Sequence, residues 1–235
     1  MLVLSLGAAF YLSEADIGGS ERKLFFDLIL LFESFWIHLL MLLWAYELCK
    51  EEEILFLARL PLSTPLSRTA YELNRFASLA AAFLPIVLII SALNLAIAPI
   101  FVVWQGIMFC FSAILCGFFV LTLSRFFAPI SAVLYSAAIL IIGNGLDDLY
   151  IFVTLRAKVS DAAKTFAEIL YLVFPNFSVF DHQSEAVTGV IGQGVADSPF
   201  VSAFVSFWFV PIVYSVFLGT ALCALAAWRF KRLAI

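Results

Sequence analysis

The sequence predicts an all-α, polytopic membrane protein with about six transmembrane helices in one domain that covers residues 1–235. Hydrophobic residues make up 64% of the chain, and its mean hydropathy is +1.09. Charged residues make up only 13%, about half of the roughly 25% that is usual in soluble domains. The apolar residues also gather in long runs, and a run of about 20 residues lets an α-helix cross the hydrocarbon core of a bilayer.

Six apolar runs are the predicted spans, and polar links separate them. Residues 1–12 form the first run, which is too short for a complete span. We interpret it as a partial span, because it lacks the basic start and the cleavage site of a secretory signal. The other five runs lie at about 25–46, 76–97, 101–123, 129–155 and 200–228.

The distribution of lysine and arginine predicts that both ends of the chain lie on the cytoplasmic side. The side that holds the 47–76 segment, the Arg125 turn and the C-terminal tail carries eight of the 13 basic residues. Cytoplasmic loops are enriched in lysine and arginine, and residues close to a span have the strongest effect. Arg229, Lys231 and Arg232 follow the last span directly, so they contribute most to this bias.

Several classes of function have no support in the sequence. A net charge of −4 provides no basic surface for nucleic acid. The four cysteines and two histidines form no CxxC or HExxH pattern, so we predict no metal site and no disulfide framework. The chain also lacks the GxxxxGK[ST] loop that cradles phosphate groups. We therefore predict no catalytic residue, no bound cofactor and no enzymatic activity of the chain itself.

The 47–76 segment, between the second and third spans, contains the densest group of charges in the chain. Three consecutive acids, Glu51, Glu52 and Glu53, precede an apolar stretch that runs to Arg59. Acidic residues stabilise a helix when they lie in its first turn. We therefore predict an amphipathic helix that begins at these acids and lies on the membrane or on a neighbouring helix.

A second helix is predicted at the end of the same segment. Pro61 and Pro65 mark a break in the chain. Ser67 is a suitable N-cap for a helix that begins at Arg68 and continues into the third span. A helix, a turn and a second helix that enters the membrane form a surface on which a soluble partner can bind. The alternative is a solvated loop whose basic residues only set the orientation of the chain.

The long link between the last two spans contains another amphipathic pattern. Apolar residues recur with helical spacing from Asp161 to Val173. The motif that follows comprises Pro175, Asn176, Phe177, Phe180 and Asp181. A helix, a break and a return to apolar residues predict a re-entrant helical hairpin on the outer side, whose irregular backbone must be buried in protein or line a cavity. The alternative is an ordinary extracellular loop.

Two short motifs occur in order along the chain. The first is the turn Pro65-Leu66-Ser67-Arg68, which is followed by the aromatic Tyr71 and the cation Arg75. The second is the acidic pair Asp147-Asp148, which is followed by the motif of residues 175–181. Together with the six-span plan, these motifs resemble the permease subunits of ATP-binding-cassette transporters of the type-2 exporter family. The resemblance covers nearly the whole chain.

The chain departs from the family pattern at its start and in the 47–76 segment. Asn74 stands where the family has a glycine before the cation, and an additional Leu-Pro-Leu-Ser precedes Pro65. Family members also begin with a basic amphipathic helix before the first span, and no such helix precedes Met1 here. Either Met1 is internal to the true gene or this member lacks that helix.

The resemblance implies a multi-pass subunit of a bacterial inner (plasma) membrane that takes part in transport, most often export, or in mechanical work. A separate ATP-binding subunit holds ATP and Mg in that family, and a second permease copy or a paralogue completes the complex among the membrane lipids. The residues that the resemblance assigns to contact with the ATP-binding subunit are Glu51, Glu52, Glu53, Arg59, Pro65, Ser67, Arg68, Tyr71 and Arg75.

Titratable residues within the predicted spans leave other functions open. Glu33 and His38 lie in the second span, and Asp147 and Asp148 lie in the fifth. Such residues line polar pathways or form hydrogen bonds between helices that fix their packing. Glu33 and His38 are also compatible with an ATP-independent secondary carrier. A third reading is a non-transporting membrane subunit that anchors or regulates a partner.

Overall fold

The computed structural model describes residues 19–57, 68–97, 100–153, 160–180 and 210–232, and all regular elements in these ranges are helical. The all-α prediction is confirmed for them. A short 3₁₀ helix covers Ser178–Phe180. The α-helices are α1 (Gly19–Leu57), α2 (Arg68–Ile97), α3 (Ile100–Leu123), α4 (Pro129–Asn144), α5 (Leu146–Ile151), α6 (Asp161–Val173) and α7 (Val210–Arg232).

Four of these helices are long and apolar enough to cross a membrane. The crossing stretches within the described residues are Leu30–Glu51 in α1, Thr69–Ala92 in α2, Gln105–Leu123 in α3 and Pro211–Phe230 in α7. Four apolar helices of this length indicate a multi-pass membrane protein. The predicted partial span at residues 1–12 lies outside the described residues, as does the first part of the predicted last span, residues 200–209.

The helix predicted to begin at the three acids of the 47–76 segment does not begin there. Helix α1 is continuous from Gly19 to Leu57, so Glu51, Glu52 and Glu53 lie near its C-terminal end. The sequence contains neither glycine nor proline from residue 20 to residue 57, so nothing in it breaks the helix. The apolar stretch of α1 also lies further along the chain, at Leu30–Glu51 rather than at 25–46.

The second helix of that segment is confirmed. Helix α2 begins at Arg68 and continues without a break into the apolar stretch that follows. Pro85 lies inside α2. Ser67, the predicted N-cap, lies outside the described residues.

The predicted fifth span is not one continuous helix. Helix α4 ends at Asn144, and α5 begins at Leu146 after Gly145, whose backbone N–H donates to the carbonyls of Ile141 and Ile142. Two glycines around an asparagine weaken the helix at this point. The 16 residues of α4 extend over about 24 Å, less than the roughly 30 Å of a hydrocarbon core. One continuous helix over 129–155 is therefore not observed, and the span in this region stays a prediction.

The amphipathic helix of the long link is confirmed at both ends. Helix α6 covers Asp161–Val173, and its N-cap is Ser160, whose Oγ accepts a hydrogen bond from the backbone N–H of Ala163 at 3.4 Å. Phe174 leaves the helix in an extended conformation. Asp181, the last residue of the predicted motif, lies outside the described residues.

Helix α3 is the centre of the bundle, and it packs against α1, α2, α4 and α7. Of the crossing stretches, that of α3 is 72% buried, and those of the other three helices are 17–39% buried. The helices approach α3 closely at Gly117, because a Cβ atom there would lie 2.8 Å from Met41 Sδ and 2.9 Å from Leu79 Cδ2. A small residue thus lets α1 and α2 pack directly on the α3 backbone.

Candidate functional sites

Charged side chains meet at one end of the bundle. We call Glu72, Arg75 and Arg125 the Glu72 cluster. Glu72 and Arg75 lie in the first turns of α2, one helical turn apart, and Arg125 lies in the turn between α3 and α4. The Glu72 side chain is fully buried, and the side chains of Arg75 and Arg125 are only 7% and 10% exposed.

One carboxylate holds both arginines of the Glu72 cluster. Arg125 Nη2 donates a short hydrogen bond to Glu72 Oε1, and Arg75 Nη1 lies 3.6 Å from Glu72 Oε2. The Glu72 carboxylate therefore pairs with two guanidinium groups inside the bundle. Removal of one partner from a buried ion pair leaves the other charge uncompensated, at a cost of about 3–5 kcal/mol. Glu72 is therefore the residue on which this end of the bundle depends most.

Arg75 extends the cluster to two more helices. Its Nη2 donates to Cys49 Sγ in α1 and to Ser124 Oγ beyond α3, each at 3.2 Å. Its Nη1 donates to the carbonyl of Leu121 at 3.4 Å. One side chain thus connects the ends of α1, α2 and α3, which places these ends on the same side of the bundle.

Aromatic rings connect the Glu72 cluster to α7. The guanidinium carbon of Arg125 lies 4.6 Å from the ring centroid of Phe230, within the range of a cation–π contact. The Phe230 ring stacks on the Tyr71 ring at 5.8 Å between centroids. Tyr71, an aromatic residue singled out in the 47–76 segment, therefore joins the start of α2 to the end of α7.

The structure describes only part of the predicted partner-binding set. Tyr71 is half-buried, Arg75 is buried within the Glu72 cluster, and Glu51 is exposed near the end of α1. Glu52 and Glu53 lie in the last turns of α1, and Arg68 is the first residue of α2. Arg59, Pro65 and Ser67 lie outside the described residues. The contacts of Arg75 hold its guanidinium inside the subunit, so its assignment to a partner surface stays a prediction.

The motif that follows α6 is packed at the opposite end of the bundle. Asn176, Phe177 and Phe180 are buried. The Asn176 side chain orders the turn, since its Oδ1 accepts a hydrogen bond from the backbone N–H of Ser178 at 3.0 Å. The irregular backbone of this segment is thus enclosed by protein, as the prediction for it requires.

Three helices hold this motif, and we call residues 175–180 with Gln105, Gly143 and Tyr214 the hairpin clamp. Gln105 Nε2 in α3 donates to the carbonyl of Phe180 at 2.7 Å. Tyr214 Oη in α7 accepts from the backbone N–H of Asn176 at 2.9 Å. The Gly143 carbonyl in α4 accepts from the backbone N–H of Phe177 at 3.3 Å. The hairpin clamp therefore fixes the segment after α6 to α3, α4 and α7 together.

The histidine predicted within a span forms hydrogen bonds between helices. His38 Nδ1 lies 2.7 Å from the carbonyl of Ser34, which can only accept, so Nδ1 carries a proton. His38 Nε2 lies 2.8 Å from Ser112 Oγ in α3. Glu33, five residues earlier in α1, is also buried. Glu33 and His38 are thus both enclosed by the bundle, and His38 contacts the central helix.

The acidic pair of the predicted fifth span lies after its break. Asp147 and Asp148 belong to α5, and Asp148 is exposed. Glu33 and His38 are buried in the bundle, whereas Asp148 is exposed. Tyr150 in α5 instead packs on Tyr171 in α6, with 4.8 Å between the ring centroids. Helix α5 thereby supports α6 beside the hairpin clamp.

Sequence reasoning missed several residues on which these sites depend. Glu72 lies just before an apolar run and Arg125 lies just after another. Nothing local in the sequence indicates that these two side chains form a buried ion pair. Gln105 and Tyr214 lie within apolar runs with no local motif. Ser160 was detectable, because a serine directly before an acid and an apolar periodic stretch is a usual N-cap signal.

Comparisons with known proteins gave no match to this chain among family models, curated proteins or solved structures.

Proposed function

We propose that this chain is the membrane-spanning permease subunit of an ATP-driven ABC transporter, with export as the direction of transport. In this proposal a separate subunit binds and hydrolyses ATP with Mg, and this chain supplies no ATPase site. A second permease copy or a paralogue completes the complex, and the path for substrate lies between the two. The proposal includes a six-span architecture with both ends in the cytoplasm of a bacterial cell.

The observation that supports it most is the position of the Glu72 cluster. The cluster lies directly after the loop at which we expect the ATP-binding subunit to push, and it contacts α1, α2, the α3–α4 turn and α7. A force applied to the first turn of α2 through Tyr71 therefore reaches four helices without crossing a flexible link. Bistable packed elements of this kind convert small local shifts into larger rearrangements.

The hairpin clamp supports the same proposal from the opposite end. One branch of the resembled family carries the Pro-Asn motif between its last two spans, and here residues 175–180 occupy that place in the chain, directly after α6. Phe166 and Ile169 of α6 are 66% and 54% exposed. Large exposed apolar side chains on an amphipathic helix suit contact with lipid. We therefore expect α6 to lie in the outer leaflet and the hairpin clamp to close the outer end of the path.

The test is capture of the full-length chain from its native membrane in detergent, followed by mass spectrometry of the proteins that accompany it. We expect an ABC ATP-binding subunit in the wild-type sample and its loss from Arg68→Glu and Tyr71→Ala. Arg68→Lys keeps the charge, and Tyr135→Ala removes an aromatic residue that is 50% exposed on α4. These two controls should retain the ATPase. A chain that purifies alone from membranes rich in such ATPases would contradict the proposal.

A secondary carrier is the second candidate, and the burial of Glu33 and His38 in α1 favours it. Titratable groups inside a bundle can bind and release coupling ions. Under the first proposal, Glu33→Gln alters transport without loss of the protein from the membrane. A carrier instead requires ion-driven transport by the purified chain in vesicles without ATP. A chain that neither transports nor captures an ATPase is an anchor or regulatory subunit.

A further inference from the structure

Two arginines lie on one face of α7, where this helix leaves the membrane. The crossing stretch of α7 ends at Phe230, so Arg229 directly precedes this end and Arg232 follows shortly after it. At about 100° of rotation per residue, Trp228, Arg229 and Arg232 lie within about 100° of one another around the helix axis. Both guanidinium groups are therefore at the hydrocarbon edge and on the same side of α7.

Aromatic rings support both guanidinium groups, and we call Phe126, Trp228, Arg229 and Arg232 the α7 corner. The guanidinium carbon of Arg229 lies 5.2 Å from the ring centroid of Phe126, which belongs to the turn between α3 and α4. That of Arg232 lies 4.2 Å from the Trp228 centroid. Neither arginine forms an ion pair with a described acid. The rings carry no formal charge, so both arginines can still bind an anion.

The elements around the α7 corner contain very little negative charge. No aspartate or glutamate occurs between Glu72 and Asp147, and none follows Asp197. The helices on which α7 packs are α2 and α3. Between them they contain a single acid, Glu72, and its carboxylate is already held by Arg75 and Arg125. The α7 corner is therefore electropositive, and an anionic group complements its charge.

Exposed apolar side chains continue from the arginines toward the membrane interior. Leu225, one helical turn before Arg229, is 44% exposed, and Ile130 in the first turn of α4 is 64% exposed. The Phe126 ring between these two elements is also exposed. An occupant of this surface must therefore present an anion at the membrane edge and hydrocarbon next to it. An anionic phospholipid has this order of groups, whereas free phosphate or a soluble acidic peptide has no hydrocarbon chain.

We propose that the α7 corner binds an anionic phospholipid, with the phosphate at Arg229 and Arg232 and an acyl chain beside Leu225 and Ile130. The lipid belongs to the leaflet on the side of the Glu72 cluster, which is the cytoplasmic leaflet in the orientation that the charge bias predicts. Because Arg229 reaches from α7 to the α3–α4 turn, the lipid contacts both elements. The proposal does not depend on ATP-driven transport.

The test uses the full-length chain in nanodiscs with equal amounts of phosphatidylglycerol and phosphatidylcholine. Each lipid in turn carries a photoactivatable diazirine close to its glycerol, and peptide mass spectrometry maps the labelled residues after irradiation. We expect residues 126–130 and 225–232 to be labelled by phosphatidylglycerol about 25-fold more than by phosphatidylcholine. This ratio corresponds to about fivefold for each arginine, as the attraction of one basic residue to anionic lipid implies.

Charge-removing variants separate this site from a general attraction of the protein to anionic lipid. Arg232 is exposed, so Arg232→Gln should fold normally and lower the labelling ratio about fivefold, and the double variant with Arg229→Gln should bring it close to one. The thermal midpoint in detergent verifies folding. Lys50→Gln is the matched control, because Lys50 is a half-exposed cation at the same end of the bundle that lies 3.8 Å from Glu47. It should leave the ratio unchanged.

Three results would overturn the proposal. The first is equal labelling of residues 126–130 and 225–232 by the two lipids in the wild-type chain. The second is a labelling ratio that Arg232→Gln and Lys50→Gln change to the same extent, since the preference would then depend on the total charge of the protein. The third is an equally high ratio in the peptide that covers residues 43–51 of α1, because the preference would then not be specific to the α7 corner.

Discussion

Gly143 is the position where a single methyl group should release the hairpin clamp. A Cβ atom on this residue would lie 2.5 Å from the carbonyl oxygen of Pro175 and 2.7 Å from Cδ2 of Phe177. The first of these atoms is backbone, so a rotamer change cannot relieve the contact. The Gly143→Ala substitution must therefore push residues 175–177 away from α4.

The cost follows from the contacts that this displacement breaks. Overpacking of a closely packed site costs about 1–3 kcal/mol. Loss of the hydrogen bond from the Phe177 N–H to the Gly143 carbonyl, 3.3 Å long, adds about 0.5–1.5 kcal/mol. The total of about 1.5–4.5 kcal/mol should raise the open fraction of the hairpin by about 10- to 1,600-fold, since 1.4 kcal/mol is a factor of ten.

Hydrogen exchange of the full-length chain in detergent measures this opening. Backbone amides from Ser160 to Phe180 should exchange faster in Gly143→Ala, while those of α3 should not change. Gly145→Ala is the matched control, because its Cβ would meet only the carbonyls of Ile141 and Ile142, each at 3.7 Å. That control should alter stability by no more than about 0.5 kcal/mol. Equal exchange in the two variants would refute the packing of the hairpin clamp described above.

Two further predictions concern the buried polar side chains. Glu72→Gln should destabilise the protein by about 3–5 kcal/mol, because it removes the buried carboxylate that pairs with Arg75 and Arg125, and it should lower the thermal midpoint in detergent. The Glu47→Gln control removes an acid that is 58% exposed and should have little effect, so similar melting of both variants would contradict a structural role for Glu72. His38→Ala and Ser112→Ala should be non-additive in a double-mutant cycle, with a coupling energy of about 0.6 kcal/mol, as measured for interhelical hydrogen bonds elsewhere. A coupling energy of zero would show that their contact contributes nothing to stability.

Helix types and several boundaries could be predicted because they depend on local chemistry. The start of α2 at Arg68 and both ends of α6 follow from a break, a cap and apolar periodicity, all within a few residues. The predictions that were wrong also have local causes. Acids usually mark a helix start. Here α1 begins at Gly19 and continues past Glu51, because no residue near the acids ends it. The break at Gly145 was readable from the glycines, yet the apolar residues around it favoured one span.

The candidate sites were less predictable, since they join residues that are distant in the sequence. Glu72 and Arg125 are 53 positions apart, and Gln105 and Phe180 are 75 apart. A buried glutamate looks the same in a sequence as a solvated one beside a span. Its importance comes from two arginines that the packing of α2 on α3 brings to it.

Under the proposed function, the packing around Gly117 limits which parts of the bundle can move. Leu79 and Met41 fill the space that a side chain at Gly117 would need, so α1, α2 and α3 should tilt as one body. The Glu72 cluster holds the same three helices together at their ends. Relative motion must then occur at the other faces of α3, where α4 and α7 pack, and at the break around Gly145. Because the hairpin clamp bridges α3, α4 and α7, any such motion must strain or open it, which makes it the expected gate.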